Sequence, residues 1–172
     1  NTPCQSTNTL NYYSSISTKE AVDNSNLEFT LSGPAGWTGV THESFDGSDS
    51  LQSGDIGDGC SSTIETQVDG KGMLSFMWKV SSSSDDLLRF YLDGSLEREI
   101  SGVQDWTQEE ISLSTGSHVM EWVYEKDSSD SQNEDAGWLD DIQISSGNQP
   151  PDQPVDPSPS DEETGVNIST EL

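Results

Sequence analysis

The sequence predicts an all-β fold, a two-sheet antiparallel jelly-roll sandwich, and three observations carry that expectation. Apolar and polar residues alternate at period two in several runs. Turn signals recur roughly every ten residues, and no stretch sustains the apolar stripe of a helix. The first strand is expected at 27–31 and the next at 63–68. In 73–80, Leu74, Phe76, Trp78 and Val80 point one way while Ser75, Met77 and Lys79 point the other, which makes a half-buried strand. Leu88, Phe90 and Leu92 repeat the pattern, and Asp93-Gly94 is a type I′ hairpin signal that returns the chain through 96–100. Further strands are expected at 107–113, at 119–124, where Met120, Trp122 and Tyr124 share a face, and at 138–144. Trp78 and Trp122 are assigned to the core, where sandwiches bury tryptophan.

Charge narrows the partners. Six Lys plus Arg stand against 32 Asp plus Glu in 172 residues, a formal charge of −26. Nucleic acid is excluded, because that binding needs clustered cations, and so is attraction to an anionic membrane surface. Only 29% of residues are hydrophobic, so the core must be built from a few concentrated positions. The apolar runs are strand-sized and broken by polar residues, which excludes a membrane-crossing helix. With no signal-like start and no initiator Met, the chain is expected to be an excised piece of something longer. Three parts are expected: an N-terminal segment 1–20, a sandwich 21–146 and a Pro/Asp/Glu-rich linker 147–172, where Pro150, Pro151, Pro154, Pro157 and Pro159 fall. Asn167-Ile-Ser169 is a glycosylation sequon only in a eukaryotic secretory setting. Cys4 and Cys60 are either unrelated thiols or one disulfide pinning the N-terminal segment. An acidic, Ser-rich chain favours the disulfide and a secreted or cell-surface location.

The stretches Ala21-Val-Asp-Asn24, Phe45-Asp-Gly-Ser-Asp-Ser-Leu-Gln-Ser-Gly54, Leu88-Arg-Phe-Tyr-Leu-Asp-Gly94, Asp105-Trp106 and Asp135-Ala-Gly-Trp-Leu-Asp-Asp-Ile142, in unbroken order, resemble a jelly-roll module repeated in large secreted bacterial proteins. That module is similar to the MAM domain of animal cell-surface proteins. Two departures stand out: Lys71-Gly72 replaces a usual Gly-Pro-Gly, and the loop 82–86 is shorter and more acidic. The resemblance implies a non-catalytic accessory module carrying a structural calcium ion. Its function signal is weak, because the module accompanies proteases, glycosidases and adhesins alike.

Two acid-rich loops are the candidate metal sites: Asp46, Asp49, Asp55 and Asp58 before Cys60, and Asp127, Asp130, Glu134 and Asp135 before the last strand. Calcium takes hard oxygens without a fixed spacing, and neither loop fits an EF-hand. By analogy with jelly rolls that hold calcium where the first strand meets the last, Asp23, Asp46, Asp49, Asp140 and Asp141 are the leading ligands, with Asp127 behind them. Strand alternation sends Asp140 and Asp141 to opposite faces, so at least one lies near the core or a sheet edge. With six cationic side chains in the chain, a divalent ion is the economical partner. The competing expectation is that these acids simply solvate the surface.

Zinc has little support, with His42 and His118 the only imidazoles and no CxxC. No nucleophile elbow is present, and neither histidine sits where a base can be argued. Glu97/Glu99 and Glu109/Glu110 read as exposed strand residues rather than a catalytic pair. Trp106, Trp138 and Trp37 lie beside glycines or turns and form a candidate aromatic ligand platform, against the simpler expectation that Trp106 and Trp138 cap the sandwich ends. The reading is a calcium-stabilised attachment module beside neighbouring domains of the same polypeptide. A carbohydrate-binding, lectin-like domain is the rival, binding extracellular polysaccharide or protein, and hydrolase or lyase chemistry ranks last.

Overall fold

The computed structural model describes Cys4 and residues 16–129 and 131–146; the expected linker at 147–172 lies outside the described residues. Ten strands follow in order: β1 (Phe29–Ser32), β2 (Thr38–Val40), β3 (Ser50–Gln52), β4 (Ser61–Asp69), β5 (Gly72–Ser81), β6 (Leu87–Leu92), β7 (Ser95–Ser101), β8 (Val103–Leu113), β9 (Ser117–Glu125) and β10 (Ala136–Ser146). They form two five-stranded sheets, β1-β4-β9-β6-β7 and β2-β3-β10-β5-β8, with every pairing antiparallel. The expected sandwich is therefore present. The two three-residue strands β2 and β3 are the additions, lying where Gly39 and Gln52 leave no readable alternation.

Period-two patterning does what it promises. Leu74, Phe76, Trp78 and Val80 of β5 are buried, as are Leu88 and Phe90 of β6 and Met120, Trp122 and Tyr124 of β9. The rings converge on Phe76, which meets Trp78 edge-on at 5.4 Å, Trp122 edge-on at 5.3 Å and Phe90 at 5.1 Å. Phe76 and Trp78 come from one sheet, Phe90 and Trp122 from the other, so this cluster joins the layers. Asp93 and Gly94 both adopt positive φ, 52° and 77°, giving the type I′ geometry expected between β6 and β7.

Cys4 and Cys60 form the disulfide, with Cα atoms 5.5 Å apart across 56 residues of sequence. A second clasp is polar: buried His118 on β9 places Nδ1 2.8 Å from Asp93 Oδ2 and Nε2 3.1 Å from the Ser114 carbonyl, linking two hairpin ends. No helix among the described residues is long and apolar enough to cross a membrane.

Two outcomes follow. Truncating Phe76 to Ala removes the ring both sheets share and should cost about 3–5 kcal/mol in chemical denaturation. The Asp93 carboxylate and Ser114 carbonyl raise His118 above its ordinary 6.5, while the hydrogen bond to His118 lowers Asp93 below 3.8. Stability from the raised imidazole is complete below pH 6.5 and lost as pH rises through the folded-state value. Stability from the depressed carboxylate is complete above pH 3.8 and lost on acidification. Melting curves should thus show a decline on the alkaline side of about pH 6.5 that His118→Asn flattens.

Candidate functional site

Three segments distant in sequence meet where β10 breaks its regular pairing. The first is a pair of tight turns at 17–24, held by Glu20 Oε2 accepting from the Ser17 amide and hydroxyl, each at 2.9 Å. It ends at Asp23 with φ 56°. The second is the loop 41–49, where Asp46 Oδ1 accepts from the Ser48 amide at 2.7 Å. The third is β10, whose register against β5 shifts between Asp140 and Gln143, with Asp141 at φ 46°. The segments are stitched together: Ile142 N–H donates to the Val22 carbonyl at 3.0 Å, the Asn24 amide to the Ile142 carbonyl at 2.9 Å, and Phe45 N–H to Asp140 Oδ2 at 2.8 Å.

The bulge corrects the strict alternation expected for the Asp140-Asp141 pair. A regular strand would turn Asp141 into the core; the extra residue instead returns Ile142 to the interior, fully buried with Leu139, and leaves Asp141 half-exposed. Asp140 is fully buried. Burial, more than the neighbouring Asp23 and Asp46 charges, pushes its carboxyl up to about 6, although the Phe45 and Asp141 amides oppose the shift. Asp23 is raised by burial and then by Asp46, Asp49 and Asp141. Asp49 is raised by burial, Asp46 and Glu20. The leading five candidates are thus brought within electrostatic reach of one another, and Glu20 joins them unannounced by the sequence. Among the described residues, no three His, Cys, Asp or Glu side chains stand close enough to hold an ion as they are. The donor set, all hard carboxylate oxygen from two loops and the β10 bulge, fits calcium and offers nothing to a softer metal.

Asp127 stands apart from this group. Its carboxylate accepts from the Ser129 amide and hydroxyl, and its amide donates to Asp86 Oδ1 at 2.9 Å. Around it, Asp58 and Asp135 pair with the buried Lys126 ammonium, the former at 3.3 Å, and Asp135 also accepts from Tyr124 at 2.8 Å. Part of the second acid loop is therefore neutralised by a lysine.

The aromatic platform is largely corrected. Trp37 is 2% exposed, its indole donating to the Ser62 carbonyl at 3.2 Å, and Trp138 is 1% exposed. Glycine neighbours suggested turns, yet Trp138 lies in β10 beneath Lys79, whose ammonium is 5.6 Å from the ring centre and pairs with Glu43 at 2.8 Å. Only Trp106 keeps a partly exposed ring; its indole donates to Glu43 Oε1 at 2.9 Å, and it meets Phe45, 48% exposed, at 6.3 Å. Glu43, Phe45 and Lys79 went unforeseen, because only folding brings the loop 41–49 over the outer face of β5 and β10.

His118 departs from expectation too, since Ser114 Oγ lies 3.3 Å from Nε2, opposite Asp93 on Nδ1, the outline of a hydrolytic triad. The Ser114 carbonyl lies 3.1 Å from the same nitrogen. While the ring is protonated it donates from both nitrogens, to an acceptor at each end, and has no lone pair to take the hydroxyl's proton.

No family model matches this sequence, and no curated protein matches it either. Solved structures share the fold. The K1 cleaved adhesin domain of Lys-gingipain from Porphyromonas gingivalis W83 is similar at TM-score 0.55 and 13% identity, over 72% of this chain and 95% of that one. The K3 domain of the same protein gives 0.53 and 13%, over 69% and 91%. The secreted serine protease VesC from Vibrio cholerae gives 0.54 and 20%, over 67% of this chain; the match spans 24% of VesC. At these identities the likeness establishes the β-sandwich.

One outcome tests the site's electrostatics. A carboxyl raised from 3.8 to about 6 contributes stability that is full below 3.8 and lost as pH climbs through about 6. With divalent ions chelated, Asp140→Asn should therefore raise stability at pH 7.5 by about 1–3 kcal/mol and leave little change at pH 4.

Proposed function

We propose that this chain is a non-catalytic accessory module of a secreted or cell-surface bacterial protein, a MAM-like sandwich stabilised by calcium held among Asp23, Asp46, Asp49, Asp140 and Asp141. The single observation that carries the reading is the convergence of acids from three sequence-distant segments on the β10 bulge, with Asp140 wholly buried among them. A buried carboxylate surrounded by like charges costs several kcal/mol unless a cation joins it. A calcium ion there would tie together the first turns, the loop 41–49 and the last strand.

The surroundings support an attachment role. The disulfide suits an oxidising compartment. Two of the structural relatives are themselves adhesin domains, and the match to the protease VesC covers about a quarter of it, as an appended module would. In this reading the partners are neighbouring domains of the same polypeptide.

A second reading, carbohydrate binding, rests on the Trp106 and Phe45 pair, with Glu43 and Lys79 beside it to accept and donate hydrogen bonds to hydroxyls. Trp37 and Trp138 take no part in it.

Calcium at one hundred times its dissociation constant stabilises a folded chain by about 2.7 kcal/mol, on the order of 10 °C in melting midpoint for a domain of this size. Scanning calorimetry in millimolar calcium against excess EDTA should show that gain for the wild type and little of it for Asp140→Asn. Equal midpoints for the wild type sink the calcium reading. On a glycan array, signal that Trp106→Ala abolishes with folding intact would favour the carbohydrate reading over simple attachment.

A further inference from the structure

Just past the Ser81–Ala136 end of the β5–β10 pairing, the β5–β6 loop carries two buried oxygens without a partner among the described residues. Asp86 is 0% exposed and Ser83 8% exposed, and neither Asp86 Oδ2 nor Ser83 Oγ has a hydrogen-bond partner among the described residues. The loop itself is fixed. Ser82 N–H donates to the Gly102 carbonyl at 2.8 Å, Gly102 N–H to the Ser83 carbonyl at 3.1 Å, and the Ser82 hydroxyl to the Asp86 carbonyl at 3.1 Å. The Asn133 amide donates to the Ser82 carbonyl at 2.8 Å from the facing loop. The second carboxylate oxygen of Asp86 takes the Asp127 amide, which turns the group toward that facing loop and toward the Tyr124 hydroxyl, on which its charge acts.

The local charges do not balance. Lys126 is the cation of this region, and it is committed to Asp58, Asp135 and the Ser131 hydroxyl. Asp86 and Asp127 then remain without a counter-charge. Solvent cannot reach Asp86 to screen it, and a neutral donor leaves the charge itself uncompensated. A carboxylate, a hydroxyl and a loop of main-chain carbonyls are hard oxygen donors of the kind calcium accepts in irregular geometry, with water completing the shell.

We propose that Asp86 and Ser83 hold a second calcium ion in the β5–β6 loop, independent of the ion proposed at the β10 bulge. The site locks the loop 82–86 to the segment that follows β9.

Native mass spectrometry of the whole disulfide-bonded chain, titrated with calcium alone, tests this directly. The wild type is expected to carry two ions, Asp86→Asn one and Asp140→Asn one. Should Asp86→Asn fail to fold, Ser83→Ala decides, with one of the two affinities weakened about tenfold by loss of a neutral ligand. An unchanged ion count in folded Asp86→Asn, or two unchanged affinities in Ser83→Ala, overturns the proposal. A single ion that only Asp140→Asn removes also overturns it, while leaving the proposed function intact. A single ion that only Asp86→Asn removes upholds this site and removes the first.

Discussion

The fold depends on the contact that Phe76 makes across the interior. A chain with 29% hydrophobic residues cannot fill a sandwich with many small contributions, so it concentrates burial in large rings. Phe76 lies centrally in β5, against Trp78 of its own strand and against Phe90 and Trp122 of the opposing sheet. Remove that ring and the layers lose the element that sets their spacing, because no other side chain meets both Phe90 and Trp122 from the second sheet among the ring contacts present. What remains free of this duty is the rim, and there the acidic residues accumulate.

The rim is organised rather than uniformly acidic. Arg89 bridges Glu99 and Glu125 along one sheet, and Arg98 reaches Glu109 at 3.0 Å, joining edge strand β7 of one sheet to edge strand β8 of the other. These exposed pairs contribute little energy each, but they blunt two open edges with charge. Lys19, Lys79 and Lys126 are spent on Glu28, on Glu43 and on the Asp58/Asp135 pair, and Lys71 is exposed at the β4–β5 turn. Two buried carboxylates, Asp140 at the β10 bulge and Asp86 in the β5–β6 loop, are left without a basic ion-pair partner among the described residues.

Most of the architecture was readable from side-chain order. Strands β5, β6 and β9 declare themselves because burial on one face and solvent on the other write a period of two over six or more residues. The hairpin at Asp93-Gly94 is readable because positive φ at both positions restricts the residue choice. Strands β2 and β3 were not, since three residues cannot display a period and neighbours supply their pairing. The acid group at Asp23, Asp46 and Asp140 was legible as composition, whereas the bulge that keeps Asp141 from the core is set by the pairing of β10 with β5. Trp138 misled for a related reason: its cover is Lys79 on the neighbouring strand, held by Glu43 on the loop 41–49, a non-local arrangement. Asp86 was legible only as part of an unusually acidic loop, because its burial and its unpartnered oxygen exist only once that loop closes on the segment after β9.

The disulfide has a mechanical corollary. Cys4 is joined covalently to Cys60, one residue before β4, so a pull on the chain at Cys4 passes straight into β4 and bypasses the residues between the two cysteines. The turns at 17–24 and the loop 41–49 sit within that bypassed span, shielded from the load. Because β4 and β10 belong to different sheets, a load carried between them is borne by the packing of the two layers as well as by the hydrogen bonds within each.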